Sequence, residues 1–313
     1  MNKFKILSLD GGGIRGYLSA KILANIEKLL NEANSENINI GQRFDLIVGT
    51  STGGIIACAL AIGKSAQYVL ELYENLIPKV FKPVSKGIFA PKYDNNILKE
   101  ELTKVLEDKT LKDVITHLCI TSVDVENASP RFHKSGYFDR NSTRLDEKLV
   151  DIALATSAAP TYFPLVKTKH STNLTDGGIV ANNPSLVGLI DAMQITNNLE
   201  NIVLVSIGTG EQPCMPYKVE KLQKAGKIKW ILEIKNYLIP DGSPLIELLL
   251  ESQSKLAHFQ TKFLLGDRYL RINPKIMSSI ELDEVSKLES LRNVADISKQ
   301  ELEKIKTLLG GQK

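Results

Sequence analysis

Short unbroken apolar runs alternate along this chain with longer segments in which apolar residues recur every three or four positions, and the two patterns predict different elements. Residues 5–9, 46–48, 118–125 and 202–207 read as strands, the last of them a strong buried-strand pattern ending in Gly208-Thr209-Gly210. Residues 17–30 place Leu18, Ile22, Ile26, Leu29 and Leu30 at helical spacing. Helices are also expected over 53–62, 67–76 and 96–107, and another starts after Asn182-Asn183-Pro184. Residues 31–39 are polar and read as a loop. Residues 78–92 hold three prolines with Phe81, Ile88 and Phe89, the composition of a lid or rim. The polar segment up to Arg144 is a hairpin or loop, residues 149–159 are small and apolar up to Pro160, and residues 174–178 read as a strand end and turn. Strands alternating with helices imply an α/β layer architecture with a mainly parallel sheet. Beyond Pro216 the chain turns helical and Lys-rich, with residues 269–272 its one strand-like run.

Composition narrows the class. The 313 residues are 43% hydrophobic and 24% charged, as in ordinary globular proteins, and suffice for one large domain or two average ones. A net charge of +3 is too small to argue for a nucleic-acid partner. Cys58, Cys119 and Cys214 are few and far apart, with no CxxC pair to suggest zinc and no disulfide framework, so a reducing cytoplasm is the default expectation. The apolar stretch 6–9 is too short for a secretory leader, and no apolar run reaches the roughly 18 residues of a membrane span. Any membrane contact is expected to be peripheral.

The candidate chemistry lies where strands end. Gly49-Thr50-Ser51-Thr52-Gly53 is a G-x-S-x-G between a strand and a helix, the context of a nucleophile elbow. Ser51 there takes strained backbone angles, and a Cβ at either glycine would clash. The following helix aims its unpaired N–H groups at the serine. Gly11, Gly13 and Gly16 also satisfy G-x-G-x-x-G after the first strand, so a dinucleotide-binding oxidoreductase is a rival reading. That fingerprint needs an acid at the end of the second strand, where this chain has Gly49-Thr50-Ser51. Neither turn carries the Gly-Lys-Ser/Thr ending of a P-loop. Read instead as an oxyanion hole, the amides of Gly11, Gly12 and Gly13 add to the N–H of Thr52. Ser51 needs a base. His117, His133, His170 and His258 lack the Gly-flanked strand-end setting and are expected to be surface or packing histidines. Asp176, at a strand end and followed by two glycines, is better placed, and burial would raise its pKa toward a useful range.

Four linked blocks, residues 10–16 (DGGGIRG), 49–54 (GTSTGG), 155–164 (ATSAAPTYFP) and 176–184 (DGGIVANNP), together resemble the patatin-like phospholipases in order and spacing, over roughly residues 3–210. The resemblance implies a three-layer α/β fold and a Ser-Asp dyad hydrolase of lipid acyl esters that needs no metal or other cofactor. It carries Ser51 over as nucleophile, Asp176 as base, and the turn amides with Thr52 as the oxyanion hole. Arg15 falls where the family has a basic residue, with two roles open: positioning a lipid phosphate, or a structural salt bridge. Residues 1–215 are then the catalytic domain and 216–313 a mostly helical part packed on it, serving substrate access or regulation. The implied partners are a phospholipid or other acyl-ester lipid and a membrane surface. Bacterial members are switched on by partners or small nucleotides, and no residue here reports such a switch, so a non-catalytic or activator-gated effector is a further alternative. The basic stretch 218–238 around Trp230 suits either an anionic bilayer surface or a solvated helix face.

Overall fold

The structure is a computed structural model describing residues 3–84, 90–137, 144–213, 219–227, 230, 234–236, 239–240, 244–294 and 297–310. Its strands are β1 (Phe4–Leu9), β2 (Leu46–Gly49), β3 (His117–Asp124), β4 (Ser129–Lys134), β5 (Leu174–Asp176), β6 (Ile202–Ile207), a short antiparallel pair β7 (Ile234–Asn236) and β8 (Ile239–Pro240), and β9 (Tyr269–Ile272). The main sheet runs β4-β3-β2-β1-β6-β9, with β5 paired to β3. Neighbours from β3 to β9 are parallel, while β4 and β5 both pair antiparallel with β3.

Strand side chains alternate between two buried faces, so these strands read as apolar runs rather than as alternations. Leu7, Ile47, Leu118 and Val205 enter one core, and Ile6, Leu46, Cys119 and Leu204 the other. Helices α1 (Gly16–Asn34), α2 (Thr52–Ala61), α3 (Ala66–Val80), α4 (Asn95–Leu106) and α5 (Leu149–Thr156) supply the first core. The one-turn helix α6 (Gly178–Ala181) follows β5, and α7 (Ser185–Thr196) packs over the second core. After the four-residue α8 (Val219–Leu222), the long α9 (Pro244–Leu265) lies against α6 and α7. The result is a three-layer α/β fold with a mostly parallel central sheet.

Several boundaries shift from those expected. Helix α1 continues through Asn34 into the polar stretch read as loop, and stops where Ser35 turns left-handed at φ 53°. Helix α3 runs through Pro78 to Val80, because Leu76, Ile77 and Val80 are buried and packing holds the final turn around the proline. The small apolar stretch at 149–159 is helix up to Thr156. The polar segment after β3 is a hairpin through β4. Strand β9 joins the central sheet, so the C-terminal part is built into the same layer. Cys58 and Cys119 are buried and unpaired, and burial pushes the Cys58 thiol up to about 12. Cys214, Ile88, Phe89 and much of the basic stretch 218–238 lie outside the described residues. Among the described residues no helix is long and apolar enough to cross a membrane.

Candidate active site

The carboxyl ends of parallel strands meet at one crevice, where ligands of open α/β sheets bind. Registers Leu9↔Gly49 and Leu9↔Ile207 bring the ends of β1, β2 and β6 level, so the turns that follow them face one another. Ser51 stands between β2 and α2 at φ 53°, ψ −127°, a backbone conformation costing about 1–3 kcal/mol. The tight turn that imposes it needs its glycines: a Cβ on Gly49 would sit 2.5 Å from Gly53 O, and one on Gly53 2.3 Å from Leu9 O. Three threonines hold the elbow in place. Ser51 N–H donates to Thr156 Oγ1 at 2.8 Å, and Thr50 Oγ1 donates to Ala181 O at 2.5 Å while accepting from Thr121 Oγ1 at 2.7 Å.

β5 delivers the partner. Asp176 pairs with Ser122 across the antiparallel β3–β5 ladder. Ser51 Oγ donates to Asp176 Oδ2 at 2.7 Å, and Gly178 N–H donates to Asp176 Oδ1 at 2.6 Å. The carboxyl is 6% exposed, and burial lifts its pKa to about 7 against the downward pull of the hydrogen bonds from Ser51 and Gly178. A carboxylate titrating there accepts a proton from a hydroxyl far more readily than one near 3.9.

The glycine turn divides its labour. Gly11 N–H donates to Asn182 O at 2.9 Å, so Gly11 is corrected from oxyanion donor to spacer. A Cβ there would lie 3.0 Å from Ser51 Cβ and 2.4 Å from Asn182 Oδ1. The Gly12, Gly13 and Thr52 N–H groups have no acceptor among the described residues, and Thr52 is the first residue of α2, whose amide has no intrahelical partner. Gly13 adopts φ +59° with Leu282 O 2.0 Å from where a Cβ would stand, and Ile14 N–H donates to that same carbonyl at 2.8 Å. The C-terminal segment therefore fixes the turn from behind.

Arg15 is 5% exposed, and its Nε donates to Gly12 O at 3.4 Å. Among the described residues its guanidinium makes no direct ion pair, while its charge acts on the buried Glu247 of α9, opposing the rise that burial causes in that carboxyl. Its side chain borders both the cavity at Ser51 and an adjoining polar pocket shared with Asn182. The cavity is walled by Ile55, Leu76, Ile77, Phe81, Phe163 and Leu250, an apolar space of the kind that takes a hydrocarbon chain.

No histidine touches Ser51 or Asp176. His117 is exposed at a strand start, His170 pairs with Asp146 at 2.7 Å, and His258 hydrogen-bonds Tyr269 Oη at 3.1 Å. His133 is 1% exposed, with Nε2 2.8 Å from Ser122 Oγ and Nδ1 2.7 Å from Glu147 Oε2. Burial would raise the Glu147 carboxyl, but hydrogen bonds from His133 and Thr168 outweigh it and hold it below the usual range. This Ser-His-Glu chain has the connectivity of a triad, yet all three members are buried where no substrate reaches. It ties the β3–β4 hairpin to the segment that leads into α5, and Thr168 Oγ1, donating to Glu147, extends the tie to the loop before β5.

The G-x-G-x-x-G turn shows no dinucleotide device. The position after β2 holds Ser51, already bonded to Asp176, and Asp10 at the end of β1 is taken by a bidentate ion pair with Arg271 of β9, at 2.8 and 2.5 Å. Four residues of the site carried no reading in the sequence. Thr156 and Asn182 lie within the motif blocks, where their letters but not their contacts were visible. Gln253, which accepts from Asn182 N–H at 3.0 Å, and Leu282 lie in the C-terminal part, where no motif pointed to them.

Known proteins resemble this chain in sequence. A family profile described as "Patatin-like phospholipase" matches residues 7–187. Patatin-like protein 1 of Arabidopsis thaliana is 31% identical, over 93% of this chain and 80% of its own length. A cGAMP-activated phospholipase of Escherichia coli (strain TW11681) is 35% identical, over 66% of this chain and 62% of its own. Among solved structures, VipD from Legionella pneumophila superposes with a TM-score of 0.40 at 14% identity, covering 86% of this chain and 67% of that one. The chain belongs to the patatin-like phospholipase family, and lipid hydrolysis is the activity that membership supports.

Proposed function

We propose that this chain is a serine esterase that cleaves fatty-acyl esters of membrane lipids through an acyl-enzyme on Ser51, with Asp176 as its base and no histidine. The observation that carries the reading is the direct 2.7 Å hydrogen bond from Ser51 Oγ to a buried carboxylate titrating at about 7, at the end of an apolar cavity. As Ser51 Oγ attacks the ester carbonyl carbon, its proton passes to Asp176 Oδ2. The carbonyl oxygen becomes an oxyanion facing the Gly12, Gly13 and Thr52 amides, each worth about 3 kcal/mol to the transition state. The C–O bond to the alcohol then breaks, and the alcohol oxygen leaves with the proton from Asp176. In the second half Asp176 takes a proton from water as that water attacks the acyl carbon. Collapse breaks the bond to Ser51, whose Oγ recovers the proton, and the fatty acid is released.

The cavity walls suit the hydrocarbon part of such a substrate, and Arg15 beside the oxyanion turn suits a lipid phosphate. Ser51→Ala should abolish release of chromophore from a p-nitrophenyl acyl ester while leaving the circular dichroism spectrum and melting temperature intact. Retained turnover in that variant would remove Ser51 as nucleophile.

A further inference from the structure

Helix α9 presents two opposite faces. Advancing 100° per residue, Glu247, Ser254, Thr261 and Leu265 fall on one side and are buried. Leu245, Leu249, Leu256, Phe259 and Phe263 fall on the other, spaced by fours and threes with Ser252 completing the series. These apolar side chains are exposed: Leu249 51%, Leu256 55%, Phe259 66% and Phe263 89%, with Leu248 at 38% beside them. A stripe of large apolar side chains on one helix, interrupted only by Ser252, is not scattered surface hydrophobicity; it marks an interaction face.

The same helix also builds the cavity that holds Ser51. Ile246 and Leu250 line it, and Gln253 joins α9 to the Asp176 segment by donating to Gly178 O and accepting from Asn182 N–H. Ile179, next to that segment, lines the cavity and is itself 42% exposed. Exposed apolar surface on α6 therefore borders the cavity beside the helix that carries the stripe.

We propose that the outer stripe of α9 inserts into a lipid surface and seats the cavity against the bilayer from which the acyl chain is drawn. This rests on the lipid-ester reading of the Ser51 site. Charge favours a bilayer over a protein partner. Residues 216–243, which lead into α9, hold six lysines against three acidic residues, a surplus equal to the net +3 of the whole chain, and Lys224 and Lys227 are exposed. An apolar helix face preceded in the sequence by a basic segment is a composition that favours an anionic membrane surface. Continuity favours it too. A second copy seated on the stripe would lie against the same helix that walls the cavity, whereas a bilayer both covers the stripe and supplies the substrate.

The test uses the full chain carrying Ser51→Ala, so that binding is read without hydrolysis. Its sedimentation with vesicles of phosphatidylcholine, with and without phosphatidylglycerol, is compared with that of the same protein bearing Phe259→Ser and Phe263→Ser. The expected result is binding strengthened by phosphatidylglycerol and weakened about tenfold or more by the double substitution. In the Ser51 background, the double substitution should cut vesicle lipid hydrolysis by a similar factor and leave hydrolysis of soluble p-nitrophenyl butyrate within about twofold. Unchanged vesicle binding would overturn the proposal. So would a wild-type oligomer that the double substitution splits in the analytical ultracentrifuge without loss of vesicle binding. Failure of the esterase reading is separately visible, as soluble-ester turnover that survives Ser51→Ala.

Discussion

Asp176 is asked to be buried and to be charged, and the two demands oppose each other. Its carboxyl is 6% exposed and titrates at about 7, so its basic form accumulates only above that pH. The rate of acyl transfer, read as kcat/KM on a soluble ester, should rise with pH on an ascending limb of apparent pKa about 7. A limb near 4 would mean that Asp176 is not the base. Stability should move the other way. The unfolded carboxyl deprotonates near 3.8 while the folded one holds its proton to about 7, so the group's contribution to stability is full below 3.8 and is lost as pH rises to about 7. That loss amounts to at most about 4 kcal/mol. Asp176→Asn should therefore nearly abolish activity and yet melt higher than wild type at pH 8, with the gain shrinking toward zero near pH 4. His170→Ala, by contrast, should leave turnover unchanged, because His170 pairs with Asp146 on the surface and touches neither Ser51 nor Asp176.

At the scale of elements, the site depends on how strand ends are held. The carboxylate of Asp10, at the end of β1, is 3% exposed and clamped by Arg271 of β9. Arg271→Met strands that carboxylate without its partner and should cost about 3–5 kcal/mol in urea unfolding. Asp10→Asn added to Arg271→Met should recover a large part of the loss. Thr156→Val removes the acceptor of the Ser51 N–H and should lower kcat by roughly tenfold with KM little changed, since it misplaces the nucleophile and not the lipid. The strands that place the site were legible because residues 6–9, 46–49 and 202–207 are buried on both faces, and two-sided burial writes a mainly apolar run. Less was legible where tertiary contact overrides local preference. The last turn of α3 tolerates Pro78 only because its neighbours are packed.

At the scale of the whole molecule, the C-terminal part is a component of the site. β9 completes the sheet and supplies Arg271, α9 supplies Leu250 and Gln253, and the carbonyl of Leu282 pins Gly13. A chain ending at residue 215 should therefore give neither a cooperative thermal transition nor ester hydrolysis, whereas a cooperative, active fragment would show the catalytic unit to be complete without them. The run at 269–272 was legible as a strand, but none of the contacts made by this part was visible in the sequence. They are single contacts made by a carbonyl, an amide and a guanidinium, and such contacts leave no periodic trace. Ser51 and Asp176 were legible for the opposite reason, because tight glycine turns at strand ends mark both. Whether those two residues act as a dyad is tested most directly with a fluorophosphonate probe on the intact protein. Mass spectrometry should place a single adduct on Ser51, and labelling should rise with pH through about 7 and be nearly lost in Asp176→Asn. An adduct on another serine, or labelling of Ser51 indifferent to Asp176, would contradict it.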